Sequence, residues 1–149
     1  MKFVQYQVTF IEIPDEINLV FSISGCKNFC KGCHSSFLQE DIGTELTDEL
    51  LCKILSEQKY VTCIVFFGGD REEKRMVELL KICIRKGFKT ALYTGKEKVS
   101  DNIRNHLNYL KTGSYDVTRG GLSSGTTNQK MVNVKTGEDI TYKFFMKYK

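Results

Sequence analysis

Three of the six cysteines, Cys26, Cys30 and Cys33, fall within eight residues directly after the mostly apolar run Ile17–Ser24. No other feature constrains the fold as much, because the apolar run reads as a buried strand whose carboxyl end must open into a loop gathering three thiols. A structural disulfide would use two of the three and leave an odd one, so the spacing points to zinc or to an iron-sulfur cluster. The ligand count narrows the chemistry. A closed structural zinc site takes four protein ligands, whereas three thiolates on a cubane cluster leave one iron open to an exogenous ligand. His34 is the nearest fourth ligand, but adjacent side chains converge on one ion only with strain in the loop, so a Cys3His zinc site stands as the alternative.

The other cysteines read as bystanders or core. Cys63 begins the run that ends before Gly68, and five residues at about 3.3 Å each place it roughly 16 Å from that end. Cys83 falls on the apolar face of a predicted helix, where a thiol acts as a small hydrophobe. Cys52 falls away from the stripe of its own helix, near the surface.

The remaining chain alternates strand and helix. Residues 3–13 set Val4, Tyr6, Val8 and Phe10 against Gln5, Gln7 and Thr9, the period of a half-buried strand, and Pro14-Asp15-Glu16 makes a turn. Thr47 is the predicted N-cap of a helix with Leu50, Leu51, Ile54 and Leu55 on one face. A buried strand follows over 60–67 and ends at Gly68-Gly69-Asp70. Next come a helix over 71–86, a strand over 88–93 closed by Thr94-Gly95, and a helix over 97–110. Gly120–Thr127 reads as a flexible polar loop. The predicted class is α/β, one domain over residues 1–149, with a mostly parallel sheet forming an incomplete (β/α) barrel. Right-handed crossovers would then bring Cys26, Gly68 and Gly95 to one rim.

Composition bounds the function classes. With 41% hydrophobic residues and one proline, 149 residues suffice for one real core. The net charge of +4 is spread along the chain, and no basic stripe with interleaved aromatics argues for nucleic acid. The opening residues alternate instead of building a signal-peptide core, and no run reaches membrane-span length. The expectation is a cytoplasmic protein that binds neither nucleic acid nor membrane, its clustered thiols serving as ligands in a reducing compartment. No P-loop and no Ser, His and Asp set is present to carry ATP use or hydrolysis.

Cys26-x3-Cys30-x2-Cys33 resembles the signature of the radical S-adenosylmethionine (SAM) superfamily. Within it, Gly32-Cys33-His34, Gly68-Gly69-Asp70 after a strand, and Asn128-Gln129 resemble the small activating proteins of anaerobic (class III) ribonucleoside-triphosphate reductases. His34 stands where these proteins commonly carry an aromatic, and the Asn-Gly-Pro-Gly lead-in of many members is absent. The resemblance implies a 4Fe-4S cluster on Cys26, Cys30 and Cys33 whose open iron chelates SAM. It also implies that Gly32, Cys33 and His34 lie along the adenine or ribose, that Gly68, Gly69 and Asp70 hold the methionine amino group, and that Thr94 and Asn128 complete the pocket.

The implied activity is generation of a 5'-deoxyadenosyl radical that installs a glycyl radical on the reductase, with the electron coming from a low-potential donor such as flavodoxin or ferredoxin. Alternatives from the residues are an activase of another glycyl radical enzyme, a small metabolite-acting radical SAM enzyme, a zinc-binding interaction module, or an electron carrier.

Overall fold

The computed structural model describes residues 1–26 and 36–146. In chain order these form β1 (Lys2–Thr9), β2 (Asn18–Ile23), a 3-10 turn (Ser36–Gln39), β3 (Thr44–Glu45), α1 (Asp48–Ser56), β4 (Cys63–Phe67), α2 (Glu73–Arg85), β5 (Lys89–Tyr93), α3 (Asp101–Arg104), β6 (Tyr109–Thr112), β7 (Lys130–Asn133) and α4 (Tyr142–Met146). The strands make one open sheet ordered β3-β1-β2-β4-β5-β6-β7. The centre, β2-β4-β5-β6, is parallel, and the three outer pairings are antiparallel. The expectation of a mostly parallel sheet is therefore corrected to one parallel in half of its pairings, and the sheet does not close.

Local signals explain the central elements. Thr47 caps α1 by accepting the Leu50 N–H at 3.1 Å, with Asp48 and Glu49 in the first turn where the helix dipole favours acids. Leu51, Ile54 and Leu55 from α1 and Met76, Leu79, Leu80 and Cys83 from α2 bury against Leu19, Phe21, Ile64, Phe66 and Leu92 of the sheet. The Phe21 and Phe66 rings stack at 5.5 Å at the centre of that layer. Ile84, which the helical spacing from Met76, Val77 and Leu80 groups with Cys83 on one face, is 44% exposed, and Ile82 is buried. The opposite sheet face, with Val20, Cys63, Val65, Ala91 and Met131, is covered by Ile13, Ile140 and Phe144. Among the described residues, no helix is long and apolar enough to cross a membrane.

The helix expected over 97–110 is the largest correction. It holds one turn, α3, capped by the Ser100 hydroxyl, and the chain has become β6 by Tyr109. The spacing of Ile103, Leu107 and Leu110 fits a helix, and all three are buried. Asn108 settles the outcome, because its Oδ1 accepts the Thr90 N–H at 3.0 Å while its own N–H bonds to the Thr90 carbonyl at 2.9 Å. Sheet pairing thereby replaces the next helical turn.

At the amino ends of the parallel strands a buried carboxylate ties the layers together. Glu16 accepts from Lys89 at 2.6 Å, Thr62 at 2.5 Å and Tyr109 at 2.9 Å. Burial opposes its charge, but these three hydrogen bonds outweigh that and hold the carboxyl below its ordinary value of 4.5. A group whose native pKa is lowered contributes its full stability above the unfolded value, and loses it as pH falls through the native one. The melting temperature is therefore expected to drop below pH 4.5, and Glu16→Gln to flatten that drop. At neutral pH, losing charge-assisted bonds worth about 2 kcal/mol should lower the midpoint by roughly 4–8 °C. Thermal denaturation of both proteins across the acid range reads both effects.

Candidate functional site

The parallel register fixes where chemistry can gather. Ser22, Phe67, Tyr93 and Lys111 are aligned neighbours at the carboxyl ends of β2, β4, β5 and β6, so the loops after these strands share one rim. Backbone bonds stitch it: Gly68 N to Tyr93 O at 3.0 Å, Thr94 N to Lys111 O at 2.9 Å, and Gly113 N to Lys96 O at 2.8 Å. Cys26 leaves β2 with its N–H bonded to the Leu38 carbonyl at 2.8 Å, and it is half-buried.

A cavity of about 480 Å³ opens at this rim, a volume ordinary for a small-molecule site. Ser24, Gly25 and Cys26 line one wall and Gly68, Gly69, Asp70 and Arg71 another, with Lys2, Asp41, Glu45 and Glu72 at the mouth. Gly68 and Gly69 lie at φ +88° and +97°, where a side chain is strained. A Cβ on Gly69 would also sit 2.8 Å from Met76 Cε and 3.0 Å from Met1 Sδ, so this glycine lets the strand end pack against the wall behind it.

Asp70 is the buried acid of the site. Its Oδ2 accepts from the Thr94 hydroxyl at 3.0 Å and from Lys96 Nζ at 3.2 Å. No hydrogen bond among the described residues reaches Oδ1, and the residue lines the cavity. Thr94, 2% exposed, is a support for Asp70 and not part of the cavity wall. Its hydroxyl also accepts the Lys96 N–H at 3.1 Å, which fixes the loop that carries the lysine.

Asn128 lies elsewhere on the rim. Its Nδ2 donates to the Ser114 carbonyl at 3.0 Å, and its Oδ1 is buried without a hydrogen-bond partner among the described residues. Its backbone closes against Gly113, whose Cβ would come within 3.1 Å of the Asn128 carbonyl. The loop between them is knitted internally by Ser124 and Thr126, whose hydroxyls both donate to the Arg119 carbonyl at 2.7 Å. Cys30, Gly32, Cys33 and His34 lie outside the described residues.

Sequence reasoning missed two lysines here. Lys96 reaches Asp70, and buried Lys111 donates to the Gly113 carbonyl at 2.9 Å and the Thr94 carbonyl at 3.3 Å. Neither sits in a motif, and the signal for Lys111 is hidden because the residues just before it, through Leu110, keep helical spacing and mask the strand. The remaining cysteines stand apart. Cys63 starts β4, opposite Asn18 and Lys89, and burial drives its thiol pKa far upward. Burial likewise pushes Cys83 up to about 12 in the helix-side core, while Cys52 packs half-buried against that core. A thiol held protonated by burial is a poor metal ligand.

Among the described residues the rim offers one candidate cluster ligand, and a thiolate is the donor type an iron-sulfur cluster takes. Cys26 brings one thiol to a cavity large enough for a small molecule, while Cys63 and Cys83 are core residues of other elements. Neither the curated proteins nor the solved structures offer a match to the chain. The model of the family described as the 4Fe-4S single cluster domain matches residues 17–115, two thirds of the chain, from just before β2 through the end of β6. That span takes in Cys26, Cys30, Cys33, Gly68, Gly69, Asp70 and Thr94, and the chain belongs to the 4Fe-4S single cluster domain family.

Proposed function

We propose that the protein is a radical SAM activating enzyme that installs a glycyl radical on an anaerobic ribonucleoside-triphosphate reductase. The observation that carries this reading is that Cys26 and the Gly68-Gly69-Asp70 segment, 42 residues apart at their nearest, face one cavity at the carboxyl rim of the parallel strands. Membership of a 4Fe-4S family supports it, as does the sign of the wall. Four carboxylates, Asp41, Glu45, Asp70 and Glu72, line the cavity against three cations, Lys2, Arg71 and the Met1 ammonium that pairs with Glu45 at 2.8 Å and Glu72 at 3.6 Å, a slight negative excess suited to a ligand bearing ammonium and sulfonium charges.

In this reading Cys26, Cys30 and Cys33 are the cluster ligands, and Asp70 Oδ1 accepts from the amino group of SAM. Thr94 and Lys96 hold the other oxygen and so fix the carboxylate plane. Gly32 and His34 lie along the nucleoside, and Asn128 steadies the loop that borders it. When bound, the reduced cluster and SAM supply the 5'-deoxyadenosyl radical that takes a hydrogen atom from the partner's glycine. The chain's own part is to hold, orient and shield.

Anaerobically reconstituted protein mixed with a low-potential donor such as flavodoxin or ferredoxin, SAM and the reductase should give a glycyl radical signal in electron paramagnetic resonance. 5'-Deoxyadenosine without that signal would move the assignment to another glycyl radical enzyme or a small metabolite. Iron and sulfide without SAM cleavage would make the protein an electron carrier, and zinc without iron would reject the cluster.

A further inference from the structure

The rim carries a second structure that the cavity does not use. The connection from β6 to β7 spans residues 113–129, and none of them lines the cavity. It exceeds the roughly 12–15 residues beyond which a connection without secondary structure is uncommon in a compact domain unless it has a function. Its roots lie beside the loop that supports Asp70, since Gly113 donates its N–H to the Lys96 carbonyl at 2.8 Å and Asn128 Nδ2 closes the far end on the Ser114 carbonyl at 3.0 Å. Leu122 rests on the sheet face away from α1 and α2.

The body of this loop holds two side chains outward. Asp116 Oδ1 accepts the Thr118 N–H at 2.9 Å and its hydroxyl at 2.6 Å, and the Asp116 carbonyl accepts the Gly120 N–H at 2.8 Å. The turn so closed carries Val117 at its apex, 52% exposed. Arg119, the one cation of the loop, donates from Nε to the Thr126 carbonyl at 3.0 Å. Its two Nη groups make no hydrogen bond or ion pair among the described residues, and the residue is exposed. Gly120 makes the knit possible, because a Cβ there would sit 2.6 Å from Ser124 Cβ. An arginine already fixed at Nε loses little further freedom when its Nη pair meets a carboxylate, whose geometry the fork matches.

Resting on the activating-enzyme reading, we propose that this loop is where the protein substrate docks. The Arg119 Nη pair takes a carboxylate on the partner's surface near its glycine, and Val117 takes an apolar side chain beside it. Hydrogen-atom transfer needs contact, so the partner that gives up the hydrogen must come down on the rim that holds the cavity. An electron donor need not, because an electron tunnels through protein. The loops after β4 and β5 are committed to Asp70 and to its partners Thr94 and Lys96. The β6–β7 loop is ordered before any partner arrives, which lowers the cost of binding, and it presents an arginine, a residue type enriched where interfaces concentrate their energy.

The test follows the glycyl radical signal against reductase concentration, using cluster-loaded protein reduced with dithionite so that no protein donor is present. Arg119→Met should raise the half-saturating reductase concentration by roughly 10–150-fold, the loss expected for one charge-assisted hydrogen-bonded contact. Val117→Asp and Val117→Lys test the sign of the partner's charge at an exposed position, where neither change touches the core. The aspartate should raise half-saturation several-fold more than the lysine, because it repels the partner's carboxylate. SAM affinity, and 5'-deoxyadenosine formation without reductase, should equal wild type in both Val117 variants. Wild-type saturation in all three variants would overturn the docking site, and equal effects of aspartate and lysine would overturn the carboxylate. Lost SAM affinity in the Val117 variants would overturn it in favour of a place in the SAM pocket, and slower cluster reduction by flavodoxin with unchanged reductase saturation would overturn it in favour of the electron donor. A wild type that cleaves SAM and gives no glycyl radical would remove the activating-enzyme reading, and this docking site with it, a result distinct from all of these.

Discussion

Alanine at Cys26, at Cys30 or at Cys33 is expected to abolish cluster binding in each case, while alanine at Cys52, Cys63 or Cys83 leaves iron content unchanged. Each of the first three would remove one of three protein anchors. The others cannot substitute: Cys63 lies at the start of β4, a strand's length from the rim, and Cys83 is fully buried in the helix-side core. Burial holds both thiols protonated at neutral pH, which opposes metal capture. Losing either should cost about 1 kcal/mol of packing, and Cys52, only half-buried, less. Iron analysis and 5'-deoxyadenosine formation across all six anaerobic preparations check this. A folded Cys63→Ala or Cys83→Ala protein without iron would mean that the cluster has a fourth protein ligand and no open position.

How far the fold could be read follows from which residues carry strong periodicity. The parallel centre was legible because Ile17–Ser24 and 60–67 are apolar runs followed by turn residues, and because Thr47 and the leucines after it mark a helix from either end. β6 was not legible, since Leu107 and Leu110 keep helical spacing with Ile103 and only the Asn108 bonds to Thr90 show that a strand replaces the helix. β7 and α4 escaped for a related reason. In the four-residue β7 the buried Met131 packs against Ile13, far back in the chain, and the five-residue α4 is too short to repeat the helical spacing of Ile140 and Phe144, so neither makes a sustained local pattern. The antiparallel pairing of β7 with β6, together with the two antiparallel pairings of β1, turns a mostly parallel expectation into a mixed sheet.

The site divides in a similar way. Cys26, Gly68, Gly69 and Asp70 were legible from cysteine spacing and from a glycine pair after a strand, and they meet in one cavity. The glycine pair has a reason of its own: both residues take positive φ, and Gly69 has Met76 and Met1 behind it. Thr94 was singled out for the pocket and stands one layer behind it, bonded to Asp70. Lys96 could not be read at all, because a lysine in a loop carries no pattern until the fold brings it to a carboxylate.

Asp70→Ala is expected to weaken SAM binding by roughly 10–150-fold, the equivalent of about 1.5–3 kcal/mol for one charge-assisted hydrogen bond. The effect should fall on binding, with iron content unchanged, because Asp70 faces the cavity from the β4 side and Cys26 from the β2 side. Thr94→Val tests the supporting layer. The valine keeps the shape of a side chain that is 2% exposed but removes the 3.0 Å bond to Oδ2, leaving Lys96, whose side chain is 46% exposed, to hold the carboxylate alone. That loss should be smaller, about 0.5–1.5 kcal/mol or roughly 2–10-fold in affinity. Equilibrium dialysis of SAM against the cluster-loaded proteins separates the two and gives the order Asp70→Ala weaker than Thr94→Val, weaker than wild type. If Asp70→Ala, with its cluster intact, bound SAM as tightly as wild type, the open oxygen of Asp70 would serve some other cation and the proposed orientation of SAM against the Gly68-Gly69 wall would be wrong.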